Sequence, residues 1–150
     1  MKEQYMSEAL ALAEQAHAMD EVPVGAVVVC GGEIIARACN ERETIGDATA
    51  HAEVLAIRRA CEKLGRWRLS DCELYVTLEP CPMCAGAIVN AKLGAVYYGA
   101  KDPRGGAFGS IMNLCSYPLY HRPKVSGGIL EQESLVLIRS FFEKKRNEKN

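Results

Sequence analysis

The sequence lacks the features that mark several classes of protein. None of its 150 residues lies in an apolar run of the roughly 20 residues needed to cross a bilayer, so we expect no membrane association. Residues 1–8 lack the basic start and following apolar stretch of a signal peptide. Seven cysteines is an odd number, and most lie in apolar segments, which favours reduced thiols in a cytoplasm over a disulfide framework.

The sequence also contains no internal repeat, linker or low-complexity tract, which predicts one domain over residues 1–150. Apolar residues recur at helical spacing in some segments, and β-branched or aromatic residues dominate others. The predicted helices are 3–19, 51–63, 82–92 and 131–146, and the predicted strands are 24–29, 34–38, 74–78 and 95–98. Strands that alternate with helices after an opening hairpin predict an α/β fold, a three-layer α/β/α sandwich with a mixed central sheet of about five strands.

Two details predict local structure within these elements. Gly31 and Gly32 separate the first two strands and suit the positive φ of a two-residue hairpin turn. The apolar stripes expected to face the core are Val54, Ile57, Cys61 and Leu64 in the second helix, and Leu135, Ile138, Phe141 and Phe142 in the last.

One histidine and two cysteines have the spacing of a metal site. Cys81 and Cys84 are three residues apart, so one helical turn can bring both sulfurs to one metal ion, and His51 supplies a third ligand from another segment. All three fall at predicted helix starts, where unpaired N–H groups favour thiolate over thiol. Three protein ligands leave one position open for water, which distinguishes catalytic zinc sites from structural ones.

Glu53 follows His51 by two residues and is placed to move protons to and from such a water. The alternative for Glu53 is a solvated carboxylate in the first turn of a helix. The alternatives for the cysteines are two buried thiols, or a structural metal site with a fourth protein ligand. The candidates for that fourth ligand are Cys72, Cys115 and His121.

Charge is distributed unevenly along the chain. Residues 1–53 hold 3 Lys or Arg against 10 Asp or Glu, whereas residues 92–124 hold 5 against 1 and residues 139–150 hold 5 against 2. The two basic segments are where a phosphate-bearing partner would bind. The alternative is ordinary solvated surface.

Further motifs at 21–26, 47–53, 75–87, 99–109 and 141–146 lie around these residues. Together with Asn40 they make nearly the whole chain similar to the TadA family of bacterial tRNA adenosine deaminases. The zinc segments are shared with other nucleobase deaminases. The glycine-rich loop at 101–109 and the aromatic, basic segment of the last helix at 141–146 are typical of this family. The resemblance implies a homodimer that binds one Zn²⁺ per chain and deaminates the wobble adenosine of a tRNA anticodon to inosine, with release of ammonia.

The same resemblance implies roles for individual residues. Asn40 matches a position whose amide hydrogen-bonds the adenosine nucleotide, and Asp102 matches a loop acid that contacts the preceding nucleotide. Phe142 and Arg146 match last-helix positions that meet the anticodon loop, which we expect to belong to an arginine tRNA. The alternative for Asn40 and Asp102 is that they are ordinary turn residues. The alternative for Phe142 is that it packs in the core.

Two other functions share these motifs. A deaminase of free bases or nucleotides would use every zinc residue, and differs only at the loop and the last helix. A zinc-stabilised RNA-binding module would have four protein ligands and no open position.

Overall fold

A five-stranded mixed sheet organises the computed structural model, which describes residues 1–149. The strands are β1 (Gly25–Cys30), β2 (Glu33–Cys39), β3 (Cys72–Leu78), β4 (Ala95–Ala100) and β5 (Lys124–Ser126). Their spatial order is β2-β1-β3-β4-β5. β1 runs antiparallel to β2 and β3, whereas β3–β4 and β4–β5 are parallel pairs. The predicted mixed sheet is therefore confirmed.

Helices cover both faces of this sheet. They are α1 (Lys2–Ala18), α2 (Arg42–Ile45), α3 (Ala52–Leu64), α4 (Pro82–Asn90) and α5 (Glu131–Lys149). One core cluster joins α1 to Val27, Val29 and Tyr75, and a second joins α3 and α4 to alternate strand residues such as Val28 and Leu74. This alternation buries both faces of the central strands, and it confirms the three-layer α/β/α sandwich.

The turn and helix boundaries follow the sequence closely. Gly31 and Gly32 have φ of 61° and 80°, as a two-residue hairpin turn requires. Short elements escaped prediction, namely α2, β5 and a 3₁₀ turn at Leu114–Ser116. Within residues 1–149, no helix combines the length and the apolar character needed to span a membrane.

The predicted buried face of α3 is partly wrong. Ile57 is buried, but Val54, Cys61 and Leu64 are only half-buried, and the core-facing positions also include Leu55 and the small Ala56 and Ala60. The prediction counted large apolar side chains, whereas this helix packs closely on the sheet through alanines, whose small side chains let its backbone approach.

The predicted stripe of α5 is also too wide. Phe141 is 5% exposed but Phe142 is 46% exposed. Consecutive residues point about 100° apart around a helix, so both rings cannot enter one core. The interpretation of Phe142 as a core residue is therefore wrong.

Candidate metal centre and substrate pocket

The ends of two helices bring His51, Cys81 and Cys84 together. His51 is the residue before α3, Cys81 is the residue before α4, and Pro82 opens α4 with Cys84 in its first turn. Nδ1 of His51 lies 3.6 Å from Sγ of Cys81 and 3.5 Å from Sγ of Cys84. The three predicted ligands thus meet at one point.

The spacing of these donor atoms fits a metal ion. A tetrahedral ion with bonds of about 2.3 Å to sulfur and 2.0–2.1 Å to nitrogen places those two donors about 3.5 Å apart. The observed sulfur–nitrogen separations of 3.5 and 3.6 Å agree with this value. Within residues 1–149 these three residues form one of two groups of potential metal ligands, and the other, Cys30, Asp71 and Cys72, lies at the start of β3.

The three candidates for a fourth protein ligand have other contacts. Sγ of Cys72 lies 3.7 Å from Oδ1 of Asp71, and Sγ of Cys115 lies 3.7 Å from the carbonyl oxygen of Pro123. Nε2 of His121 lies 2.6 Å from the carbonyl oxygen of Leu93. The described residues therefore favour a centre with three protein ligands, as in catalytic zinc sites, over a closed structural one.

Hydrogen bonds divide the charge between the two sulfurs. The Cys84 thiol donates to Cys81, and with a further contribution from His51 this lowers the pKa of Cys81 to about 4. The same bond, together with burial, raises the pKa of Cys84. The hydrogen bond with Cys81 raises the pKa of His51. Cys81 is thus the more acidic of the two thiols, and a bound cation would favour the thiolate form of both.

Glu53 is buried beside this group and is not one of its members. The side chain lies in the first turn of α3 and is 4% exposed. Burial, reinforced by the negative charge of Cys81, raises the pKa of Glu53 to about 7. A carboxyl group with a pKa near neutral accepts and releases protons readily at physiological pH, as a general acid and base must. The alternative of a solvated carboxylate is not supported.

A pocket of about 160 Å³ opens beside Glu53. Its lining residues are Val22, Val24, Asn40, Arg42, His51, Ala52, Glu53, Leu78, Glu79, Cys81 and Asp102. Pockets for drug-sized ligands occupy about 300–1,000 Å³, so this one has room for a single ring system. Asn40 and Asp102 therefore share a pocket with Glu53 although they lie far apart in sequence.

Both of these polar residues also stabilise turns. Asn40 donates from Nδ2 to the carbonyl of Val22 at 3.3 Å, and its Oδ1 accepts the N–H of Arg42 at 3.0 Å. Oδ1 of Asp102 accepts the N–H groups of Arg104 and Gly105 at 3.1 and 3.2 Å. The turn interpretation thus holds for each, and their contact with a nucleotide stays a prediction.

Phe142 and Arg146 lie outside this pocket, on the exposed surface of α5. A wider depression of about 400 Å³ shares Val22 and Arg42 with the pocket and reaches α5 through Phe141 and Lys145. The two cavities form neighbouring parts of one surface, and α5 borders the wider part.

Glu79 is a site residue that the sequence did not single out. It lines the pocket, is 2% exposed, and accepts hydrogen bonds from the N–H groups of Asp102, Phe108 and Ser110 at 3.1, 3.0 and 3.1 Å. The Ser110 hydroxyl donates to it as well. A Cβ at Gly106 would lie 2.2 Å from Cδ of Glu79, so this glycine is required for the carboxylate to fit. The sequence signal that could have identified Glu79 is a charged residue placed between a buried strand and Pro80.

Comparison with known proteins identifies the family. Residues 1–143 match the family model of MafB19-like deaminases. The tRNA-specific adenosine deaminase of Bacillus subtilis (strain 168) is 50% identical over 148 residues, which are 98% of this chain and 92% of the relative. The chain belongs to the tRNA-specific adenosine deaminase family. The member of this family from Aquifex aeolicus (strain VF5) is 46% identical to it over 97% of each chain.

Solved structures support the assignment of this chain to the tRNA-specific adenosine deaminase family. One, from studies of A-to-I editing by tRNA:A34 deaminases at the wobble position, is 49% identical with a TM-score of 0.88 and covers 89% of this chain and 98% of that chain. A guanine deaminase from Nitrosomonas europaea is 26% identical with a TM-score of 0.82, over 93% of this chain and 83% of that chain. The fold is therefore common to enzymes with different purine substrates, and the site must decide between them.

Proposed function

We propose that this protein is a zinc-dependent deaminase that converts the wobble adenosine of a tRNA anticodon to inosine and releases ammonia. The observation that carries the proposal is a group of three potential metal ligands beside the buried carboxyl group of Glu53, in a pocket with room for one ring. Membership of the tRNA-specific adenosine deaminase family selects adenosine in tRNA among the purines. The substrate is the anticodon stem-loop of an arginine tRNA.

One zinc ion per chain would be held by His51, Cys81 and Cys84, whose donor atoms lie at the separation that a tetrahedral ion requires. One neutral histidine and two thiolates balance the charge of the ion, and the mixed nitrogen and sulfur donors suit zinc. When bound, zinc lowers the pKa of a coordinated water from about 15.7 towards neutral.

Glu53 carries the protons of the reaction. Its carboxylate takes a proton from the attacking water, whose oxygen forms the new bond to C6 of the adenine ring. Glu53 gives this proton to the ring nitrogen, and then takes the remaining proton of the water from the new C6 hydroxyl and passes it to the departing amino group. The C6–N bond breaks, ammonia leaves and inosine remains. Burial of Glu53 favours these steps, since a pKa of about 7 lets one group act as base and then as acid.

Residues around the pocket recognise the RNA. The amide of Asn40 binds the extruded nucleotide, and Asp102 contacts the nucleotide before it. Phe142 and Arg146 on α5 meet the rest of the anticodon loop, and the depression between the pocket and α5 supports this path. An anticodon loop is single-stranded, so little pairing energy opposes extrusion of its adenine.

The protein acts as a homodimer. The segment 111–120 supports this, because it exposes four large apolar side chains, with Tyr120 at 96% and Ile111 at 53%. Light scattering coupled to size-exclusion chromatography should report twice the chain mass of 16.4 kDa. We further propose that residues 1–150, of which Asn150 lies outside the described residues, act as one deaminase domain in the cytoplasm, where tRNA is processed.

Replacement of Glu53 by alanine tests the proposed chemistry. Glu53→Ala should retain zinc and the fold and lose about 10²–10⁴-fold in turnover, because the group carries protons and does not bind the metal. Inosine and ammonia are measured on an arginine-type anticodon stem-loop, with free guanine and cytosine as competing substrates. Glu62→Ala, on the exposed side of α3, is the matched control and should leave turnover unchanged. Retention of more than a tenth of normal turnover by Glu53→Ala, or faster deamination of a free base than of the stem-loop, would contradict the proposal.

A further inference from the structure

Two cysteines outside the metal centre face each other on neighbouring strands. Cys30, the last residue of β1, is paired in the antiparallel register with Cys72, the first residue of β3. Both side chains contact the same core cluster, beneath α3 and α4, so they lie on the same side of the sheet. Their sulfurs and a carboxylate oxygen of Asp71 lie within 4.8 Å of one another.

The type of strand pairing brings these two cysteines especially close. The N–H of Cys72 donates to the carbonyl of Leu69 at 3.0 Å, and its C=O accepts the N–H of Gly94 at 3.1 Å. The backbone of Cys72 is thus directed away from β1, and its pair with Cys30 is of the non-hydrogen-bonded kind. Opposite Cα atoms in such pairs are about 4.5 Å apart. Disulfides form across Cα separations of about 4.4–6.8 Å, so the backbone already meets this requirement.

The surroundings of the pair tolerate loss of both S–H groups. Oδ2 of Asp71 lies 3.5 Å from Sγ of Cys30, and Oδ1 lies 3.7 Å from Sγ of Cys72. The two oxygens of the same carboxylate also accept hydrogen bonds from Nη2 of Arg66, at 2.8 and 2.9 Å. Oxidation of the thiols would leave Asp71 paired with Arg66 at an exposed position, so no buried polar group would lose its partner.

We propose that Cys30 and Cys72 are a redox-active pair that forms a reversible cross-strand disulfide when the protein meets a low-molecular-weight disulfide such as oxidised glutathione. The inference is independent of the proposed deamination. The proposed modification site lies at the start of β3, where Cys72 is the first residue. The metal ligands lie beyond the other end of that strand, which Cys81 follows.

Exposure sets the order of the two steps. Cys30 is half-buried whereas Cys72 is 1% exposed, so the Cys30 thiolate attacks the small disulfide first. The S–S bond of the reagent breaks, one small thiol leaves with the proton of Cys30, and a mixed disulfide forms. Cys72 as thiolate then attacks Sγ of Cys30 and releases the second small thiol. The two cysteines lose two electrons, and one small disulfide is reduced to two thiols.

The second step should be the slower one. Burial, together with the nearby Cys30, raises the pKa of Cys72 to about 12, so its reactive thiolate is scarce at neutral pH. The product nevertheless closes a long loop, residues 31–71, that contains β2, α2 and α3 with His51 and Glu53. A cross-link over about 40 residues restricts the unfolded chain strongly and should raise the thermal midpoint by roughly 5–15 °C.

Peptide mapping of the zinc-loaded, full-length protein tests the inference. After treatment with oxidised glutathione and alkylation of remaining thiols, trypsin should yield peptide 3–37 linked to peptide 69–92. The second peptide also contains Cys81 and Cys84, so fragmentation of the linked pair must place the bond at Cys72. The count of free thiols should fall by two, zinc should be retained, and dithiothreitol should reverse both the link and the thermal shift.

Single serine variants separate this bond from other oxidation. Cys30→Ser at the half-buried position and Cys72→Ser at the buried one should each abolish the linked peptides, whereas Cys115→Ser should not. Any of three results would overturn the inference. Glutathione could stay attached to Cys30 with no Cys30–Cys72 link, or both cysteines could remain reduced. The cross-linked protein could also show no rise in its thermal midpoint.

Discussion

Replacement of Glu79 by glutamine should loosen the loop that carries Asp102 without unfolding the protein. Glu79 accepts hydrogen bonds from the N–H groups of Asp102, Phe108 and Ser110, and from the Ser110 hydroxyl. A glutamine oxygen in the position of Oε2 keeps the bonds from Phe108 and from the Ser110 N–H. The new amide NH₂ group then stands at Oε1, where it can donate to the Ser110 hydroxyl but faces the N–H of Asp102. The variant therefore removes one backbone link to the loop.

The size of the effect follows from these bonds. A partly buried N–H that loses its acceptor costs about 1–3 kcal/mol. The bonds that remain go to a neutral amide in place of a carboxylate, which weakens each of them. We expect a total loss of about 2–4 kcal/mol in the free energy of unfolding, less than the 5–15 kcal/mol typical of a domain. The thermal midpoint should then fall by roughly 5–15 °C.

The values of KM and kcat distinguish a positioning role of Glu79 from a merely structural one. Asp102 contacts substrate in our proposal and Glu53 performs the chemistry, so KM for the anticodon stem-loop should rise about tenfold, which is about 1.4 kcal/mol. The value of kcat should change little. Ser110→Ala removes only the hydroxyl donor and should leave KM unchanged. An unaltered thermal midpoint and an unaltered KM in Glu79→Gln would refute this reasoning.

Three further predictions concern the metal and the RNA. X-ray absorption of the zinc-loaded protein should show two sulfur and two lighter neighbours, and removal of the metal by a chelator should abolish turnover; three or more sulfurs would make the site structural. Asp102→Asn removes a charge that repels phosphate yet keeps an acceptor oxygen, so turnover of a DNA hairpin should rise relative to the matched RNA hairpin; an unchanged ratio would confine Asp102 to its turn. Arg146→Glu should flatten the log–log dependence of tRNA affinity on salt by about 0.7–0.9 per lost phosphate contact, whereas Lys63→Glu on α3 should not; equal slopes in both variants would exclude Arg146 from the RNA surface.

The metal centre and the main layers could be predicted from the sequence because their signals are local. His51 and the Cys81–Cys84 pair act through fixed spacing at helix starts, and Gly31-Gly32 determines a hairpin by backbone conformation alone. The buried face of α3 was less accessible to prediction, because the close approach made through its alanines depends on the sheet beneath it. The short strand β5 has three residues and takes its shape from pairing with β4.

The contacts of Glu79 could not be predicted for a different reason. Its partners are backbone N–H groups 23 to 31 residues away. Almost every residue type has a backbone N–H, so the sequence does not show which positions donate to Glu79. The same limit applies to Lys145, whose Nζ lies 2.6 Å from Oδ2 of Asp20 across a separation of 125 residues. This ion pair is between exposed side chains, so it contributes little to stability, but it does place the end of α5 beside the loop after α1.

The way in which Glu79 holds its loop has a consequence for the evolution of the site. Two of the positions it fixes, Phe108 and Ser110, are bound through the main chain, which every residue except proline possesses. Side chains in this loop that make none of its hydrogen bonds can therefore be exchanged while the path of the loop is preserved. The exceptions are Gly106, where no side chain fits, Gly109, whose φ is 139°, and Asp102, whose carboxylate holds the turn. Substitution within this loop can thus change the surface beside the pocket while His51, Cys81 and Cys84 stay in place.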